Sequence, residues 1–199
     1  MKIPIPTSFK PDKDNPLKTR LYFDGQQSAH FYLRGGISWP EGRREGFAVL
    51  AGQELKSRKV WIFDEWEFWT VPHWTLEDGT IKPKGEGFWY GLNHFMAQTF
   101  GTFGCRSWFW GGQHADLARR YVLQVYRDPM VPIDTSLIEV PYVQQVGDNL
   151  IEEWLNLEKL SGDKDSLLFE HLNSPAERSG VHALRCLLAG FEYQPFREV

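Results

Sequence analysis

Sulfur is scarce in this 199-residue chain, which holds two cysteines and three methionines. Cys105 and Cys186 are far apart and form neither a CxxC pair nor a zinc-ligand spacing. Cys186 lies in the apolar stretch ALRCLLAGF and reads as a small buried hydrophobe. No apolar run approaches the ~20 residues needed to cross a bilayer, so no membrane partner is expected. The opening MKIPIPTSFKPDKDNP has no apolar h-region, so no secretory signal is expected either. With two free thiols and no export signal, the expected location is cytoplasmic. Basic excess is also missing: 22 Lys+Arg stand against 26 Asp+Glu, for a net charge of -4. That balance offers little to non-specific nucleic-acid binding, which counterion release drives. A local basic patch could still form, its best candidates being Arg43, Arg44, Lys56, Arg58 and Lys59, where solvated loop charge is the simpler reading. No internal repeat and no low-complexity tract occurs.

What is present is an ordinary globular composition, 42% hydrophobic and 24% charged, in a chain long enough for a core without disulfides. Residues 1–28 read as an N-terminal arm, with four prolines in the first 20 positions and no periodic pattern. Residues 29–199 read as a single α/β domain. Three strand-like runs follow one another: 29–33, which could continue to Trp39, then 46–52, then 59–71. Aromatic and β-branched enrichment favours strand for all three. The short polar linkers PEGRRE and LKSR favour antiparallel hairpin connections. A long loop is expected from Pro72 to Gly87, a helix over 88–103, a strand over 106–110 and a helix over 115–128. A mixed, partly extended stretch over 133–143 precedes a helix over 148–160. A strand over 166–171 and a helix over 175–190 close the pattern. Strands alternating with helices after an opening meander predict a mixed sheet with helices on both faces.

That order resembles the ribonuclease H-like fold. Phe31-Tyr32-Leu33-Arg34-Gly35-Gly36-Ile37-Ser38, with the following runs Phe47–Leu50 and Val60–Asp64, resembles the opening of nuclease domains in phage terminase large subunits. Val181-His182-Ala183-Leu184-Arg185-Cys186-Leu187-Leu188 resembles their final helix. The resemblance implies phosphodiester cleavage by two Mg²⁺ or Mn²⁺ ions held between clustered carboxylates, and hence a nucleic-acid partner. It also implies an acid on the first strand, where Gly36 and Ser38 stand instead, and an acid in the final helix, where SGVHALRC has none. Asp116 alone stands where a family acid could stand.

The remaining carboxylates are weighed on their own. In WIFDEWEFW, strand alternation puts Glu65 and Glu67 on one face and Asp64 on the other. The pair could ligate a metal or divide acid and base roles, or simply keep a half-exposed strand soluble. The turn Gly111-Gly112-Gln113-His114-Ala115-Asp116 could present polar groups at a helix start, or be a plain glycine turn. His171 has Glu170 and Glu177 nearby. Asp64, Asp116, Glu170 and Glu177 are the candidate catalytic residues, and Asp64, Asp116 and Glu170 the candidate metal ligands, provided their strand ends converge. His30, His73, His94 and His182 show no metal-ligand spacing.

Nine tryptophans are the most unusual feature, five of them between Trp61 and Trp89. Alternation places aromatics on both faces of the strand 60–74. This motivates a second expectation: a non-catalytic binding or assembly module that buries this strand against a homo-oligomeric or protein partner.

Overall fold

A computed structural model describes residues 5–15, 18–24, 28–39, 45–68, 74–75, 81–82, 86–111, 129, 131, 135–140, 151–153, 160–174 and 178–193. The elements are β1 (Ser8–Pro11), β2 (Lys18–Tyr22), β3 (Ser28–Ser38), β4 (Gly46–Glu54), β5 (Val60–Phe68), β6 (Trp74–Thr75), β7 (Ile81–Lys82), α1 (Glu86–Phe103), β8 (Ser107–Trp110), β9 (Ser136–Glu139), β10 (Leu160–Ser161), α2 (Leu167–Asn173) and α3 (Ser179–Tyr193). The expected helices over 115–128 and most of 148–160 lie outside the described residues. Among the described residues no helix is long and apolar enough to cross a membrane.

The fold is mixed α/β, built on an eight-stranded and mostly antiparallel sheet. β3, β4 and β5 form the expected antiparallel meander. β3 is long enough to serve two partners along its other edge. Its first half, Ser28 to Tyr32, pairs antiparallel with β2, and Gly35 to Ile37 pair parallel with β8. β9 then adds parallel to β8, and β10 parallel to β5. The N-terminal segment, through β1 and β2, extends the sheet, and it sends Leu21 into the core without exposure.

Helices cover both faces. On one side Leu92, Phe95, Met96 and Phe103 of α1 pack with Leu33, Ile37, Leu50 and Trp108. On the other, Leu168 of α2 and Ala183, Leu184, Leu187 and Leu188 of α3 pack on Phe47, Val49, Ala51 and Ile62. β4 is apolar on both faces because it is buried on both.

A bulge in β5 decides which side chains face which helix. Leu50 pairs with Asp64 but Ala51 pairs with Ile62, so Phe63 is the extra residue. Plain alternation would split the aromatics between the faces. The inserted residue instead keeps Trp61, Phe63, Trp66 and Phe68 together on the α1 face, packed against that core. Phe63 meets Phe103 at 5.2 Å between ring centroids, and Trp66 meets Phe95 at 6.0 Å. The described part of the aromatic strand is therefore covered by α1.

One expected element changes type. Residues expected to extend over 166–171 form helix α2 instead. Ser166 caps it in extended conformation and accepts from the Phe169 N–H. Glu65, reaching across from β5, accepts the Leu167 N–H at 2.7 Å and the Leu168 N–H at 3.0 Å. Those two contacts satisfy N–H groups that a helix start otherwise leaves open, and local pattern does not reveal them.

Candidate functional site

The carboxyl end of β5, the amino end of β4 and the carboxyl ends of β3 and β8 lie at one end of the sheet, since Gly46 pairs with Phe68, Ser38 with Phe47 and Ile37 with Trp110. Polar side chains collect there on the α2/α3 face. Glu45 immediately precedes β4. Glu67 pairs with Phe47 and, by virtue of the bulge, shares its face. His171 comes down from α2 with its ring 5.0 Å from that of Phe47.

His171 is 1% exposed and Glu45 7%. His171 Nε2 faces Glu67 Oε2 at 3.6 Å and Glu45 Oε1 at 3.9 Å, beyond direct hydrogen-bond reach. The Gly180 N–H donates to Nδ1 of the same ring at 3.1 Å. A Cβ on Gly180 would lie 2.6 Å from that nitrogen, so only glycine lets the first turn of α3 approach so closely. Ser179 donates its hydroxyl to Glu45 Oε1 at 3.0 Å, and Arg178 Nε lies 3.9 Å from the same oxygen. Burial alone would push the Glu45 carboxyl up. Hydrogen bonds from its own backbone N–H and from Ser179, with Arg178 and His171 nearby, outweigh that and hold it below the usual carboxylate range. One ligand atom from each of Glu45, Glu67 and His171 lies within 4.8 Å of the others, so the group could hold a metal ion.

The residues expected from the sequence distribute differently. Asp64 pairs with Leu50 and sits on the α1 face of β5. It lines an open cleft with Ile5, Ile62, Phe63, Glu65, Asp163 and Ser166. Burial, with Glu65 adding, pushes its carboxyl above the usual range, despite the hydrogen bond it accepts from the Glu65 N–H at 2.9 Å. Glu170 is exposed on α2. Neither belongs to the three-ligand group. Asp116 and Glu177 lie outside the described residues. Glu65 and Glu67 share a face as expected, but with separate work: Glu65 binds the start of α2, and Glu67 faces His171.

The places where the resemblance implies metal ligands are built for packing. A Cβ at Gly36 would stand 2.1 Å from the Ala183 carbonyl oxygen and 2.8 Å from Leu187 Cβ. Arg34, one pleat earlier on the same face, is fully buried, with its guanidinium over the Phe109 and Phe191 rings at 5.8 and 5.7 Å. Burial brings its pKa down to about 10, which leaves it charged at neutral pH. A buried cation carried by the neighbouring position on the same face of β3 opposes a metal ion at Gly36. In the final helix, His182 donates Nε2–H to the Gly111 carbonyl at 2.9 Å. That contact ties α3 to the end of β8.

Compared with protein-family models, with curated proteins and with solved structures, the chain matches none.

Proposed function

We propose that this chain is a ribonuclease H-like domain of phage or mobile-element type, and a degenerate relative that no longer builds the two-metal nuclease centre. It serves as a non-catalytic binding or assembly module. The support for the fold reading is the element order. An antiparallel meander, β3 to β5, is followed by α1 and then by β8 and β9, laid parallel beside β3, with α3 closing over the sheet. The observation that carries the functional reading is Gly36. The seat of the first-strand acid is filled by the α3 backbone, leaving no room for any side chain, and the buried Arg34 lies beside it. Mg²⁺ and Mn²⁺ in such centres need several carboxylate oxygens converging on a pair of ions, and Gly36, Ser38 and the α3 stretch SGVHALRC supply none.

Incubation of the full chain with plasmid and with single-stranded DNA in Mg²⁺ or Mn²⁺, beside an Asp116→Asn variant, tests this reading. It expects no cleavage above background from either protein. Metal-dependent cleavage that disappears in Asp116→Asn would restore the nuclease. The partner of the module is sought by pull-down and light scattering. Trp39, Trp61, Trp66, Trp108 and Trp110, packed in or against the α1-side core, favour a surface other than β5.

A further inference from the structure

Glu45, Glu67 and His171 come from three elements that are far apart in sequence, yet their polar atoms meet at the carboxyl end of the parallel strands. We propose that these three residues bind one divalent transition-metal ion, of the Mn²⁺ or Zn²⁺ class, and that loading the ion breaks the Gly180 hydrogen bond to His171. This site is separate from the centre whose loss is proposed above, and the two stand or fall independently.

Three observations carry it. The donor set is two carboxylates and one imidazole. Oxygen donors alone suit Mg²⁺, whereas an imidazole beside carboxylates suits Mn²⁺ or Zn²⁺, with water completing the coordination. The spacing also fits. Ligands bound ~2.1 Å from one ion stand roughly 3–3.5 Å apart, and the gaps from His171 Nε2 to the two carboxylates, 3.6 and 3.9 Å, need to close by only a few tenths of an ångström, while all three ligand atoms already lie within 4.8 Å of one another. Finally, the imidazole is almost wholly buried and aimed at both carboxylates without a direct hydrogen bond to either. The Ser179 hydroxyl bonds Glu45 Oε1, the oxygen that faces His171, and so orients that carboxylate, as partners of metal-bound carboxylates do.

The coupling follows from lone pairs. A neutral imidazole has one N–H and one free lone pair. Nδ1 accepts the Gly180 N–H, so in the ion-free protein the proton sits on Nε2 and points at the carboxylates. An ion on Nε2 needs the lone pair there. The proton then moves from Nε2 to Nδ1, with none released from the ring. An Nδ1–H cannot accept the Gly180 N–H, so the first turn of α3 must give up that bond. Ion binding is thereby transmitted to the helix that His182 ties to β8.

The test is titration of the full chain with ZnCl2, MnCl2 and MgCl2 by calorimetry, with ¹⁵N NMR of the His171 ring and the Gly180 amide. The expected result is one Zn²⁺ or Mn²⁺ per chain, at least tenfold weaker binding in Glu67→Gln and in Glu67→Asp, and unchanged binding in Asp64→Asn. A circular-dichroism melt confirms that each variant is folded. On Zn²⁺ loading the His171 ring should change from the Nε2–H to the Nδ1–H form, and the Gly180 amide should shift and exchange faster. No saturable uptake, or uptake undiminished in folded Glu67 variants, overturns the site. A Gly180 amide unmoved by loading overturns the coupling. Metal-dependent DNA cleavage lost in Asp116→Asn would overturn the proposed loss of the nuclease centre and leave this site standing.

Discussion

Glu65 on β5 accepts the backbone N–H of Leu167 at 2.7 Å, and so a strand carboxylate closes the start of a helix 102 residues away. The same side chain takes the Leu168 N–H, while Ser166 caps from within the helix. Anions at helix starts satisfy open N–H groups and complement the helix dipole. Replacing Glu65 with Ala should destabilise the fold by about 1 kcal/mol, within the range of lost helix caps. Chemical denaturation should show a lower midpoint at unchanged slope, and Ser166→Ala should add to it. An unchanged midpoint would mean that α2 is held by its packing alone.

Gly36→Ala introduces one methyl group against the Ala183 carbonyl and Leu187. Backbone cannot yield as a flexible side chain does, so the cost should reach at least the roughly 1–3 kcal/mol of an overpacked core. Gly101→Ala, where nothing lies within 4 Å of the added Cβ, is the control and should not destabilise the helix. A Gly36→Ala protein as stable as the parent would show that α3 sits further from the sheet.

Asp64 and Glu45 should respond to pH in opposite directions. The folded-state pKa of Asp64 is raised, so its ionised form burdens the folded protein. Stability is full below the unfolded carboxylate value of about 4 and is lost as pH rises through the folded value. Asp64→Asn should therefore raise the melting temperature at pH 7, with the gain vanishing below about pH 4. The folded-state pKa of Glu45 is lowered, so its contribution is present above the unfolded value and lost as pH falls through the folded one. Glu45→Gln should lower stability at pH 7 and matter progressively less in acid. Melting curves of the two variants across pH 3–7 check both signs. Parallel pH profiles for the two would refute the opposite environments.

Cys105 and Cys186 are both buried, and burial pushes each thiol up to about 12. Thiolate is the reactive form, so neither should react with Ellman's reagent in the native protein, and both should react in denaturant. A fast-reacting thiol in the native state would contradict the packing of Cys105 in the α1-side core or of Cys186 beside Phe109 of β8.

Much of the layered fold was legible in the sequence because periodicity reports burial directly. The meander, α1 from the 88–103 pattern, β8 and α3 all follow from runs whose faces meet a core. What was illegible depends on one residue or on distant partners. The Phe63 bulge leaves no mark in WIFDEWEFW, yet it moves Glu65 and Glu67 to the α2/α3 face and gathers the aromatics on the other. The strand expected over 166–171 is instead α2, capped by Ser166 and bound at its first turn by Glu65, a partner remote in sequence. Glu67 and His171 were visible as polar residues beside apolar runs. Glu45 was not singled out, because a lone acid after two arginines looks like loop charge. Only the pairing of β4 with β5 brings it to His171.

The most direct measurement is anomalous diffraction from crystals of the full chain soaked in Mn²⁺. The account predicts a single peak among Glu45, Glu67 and His171 and none between Ser38 and Gly111. A pair of peaks about 3.5–4 Å apart at the carboxyl ends of β3 and β8 would contradict it, since that is the signature of an intact two-metal centre.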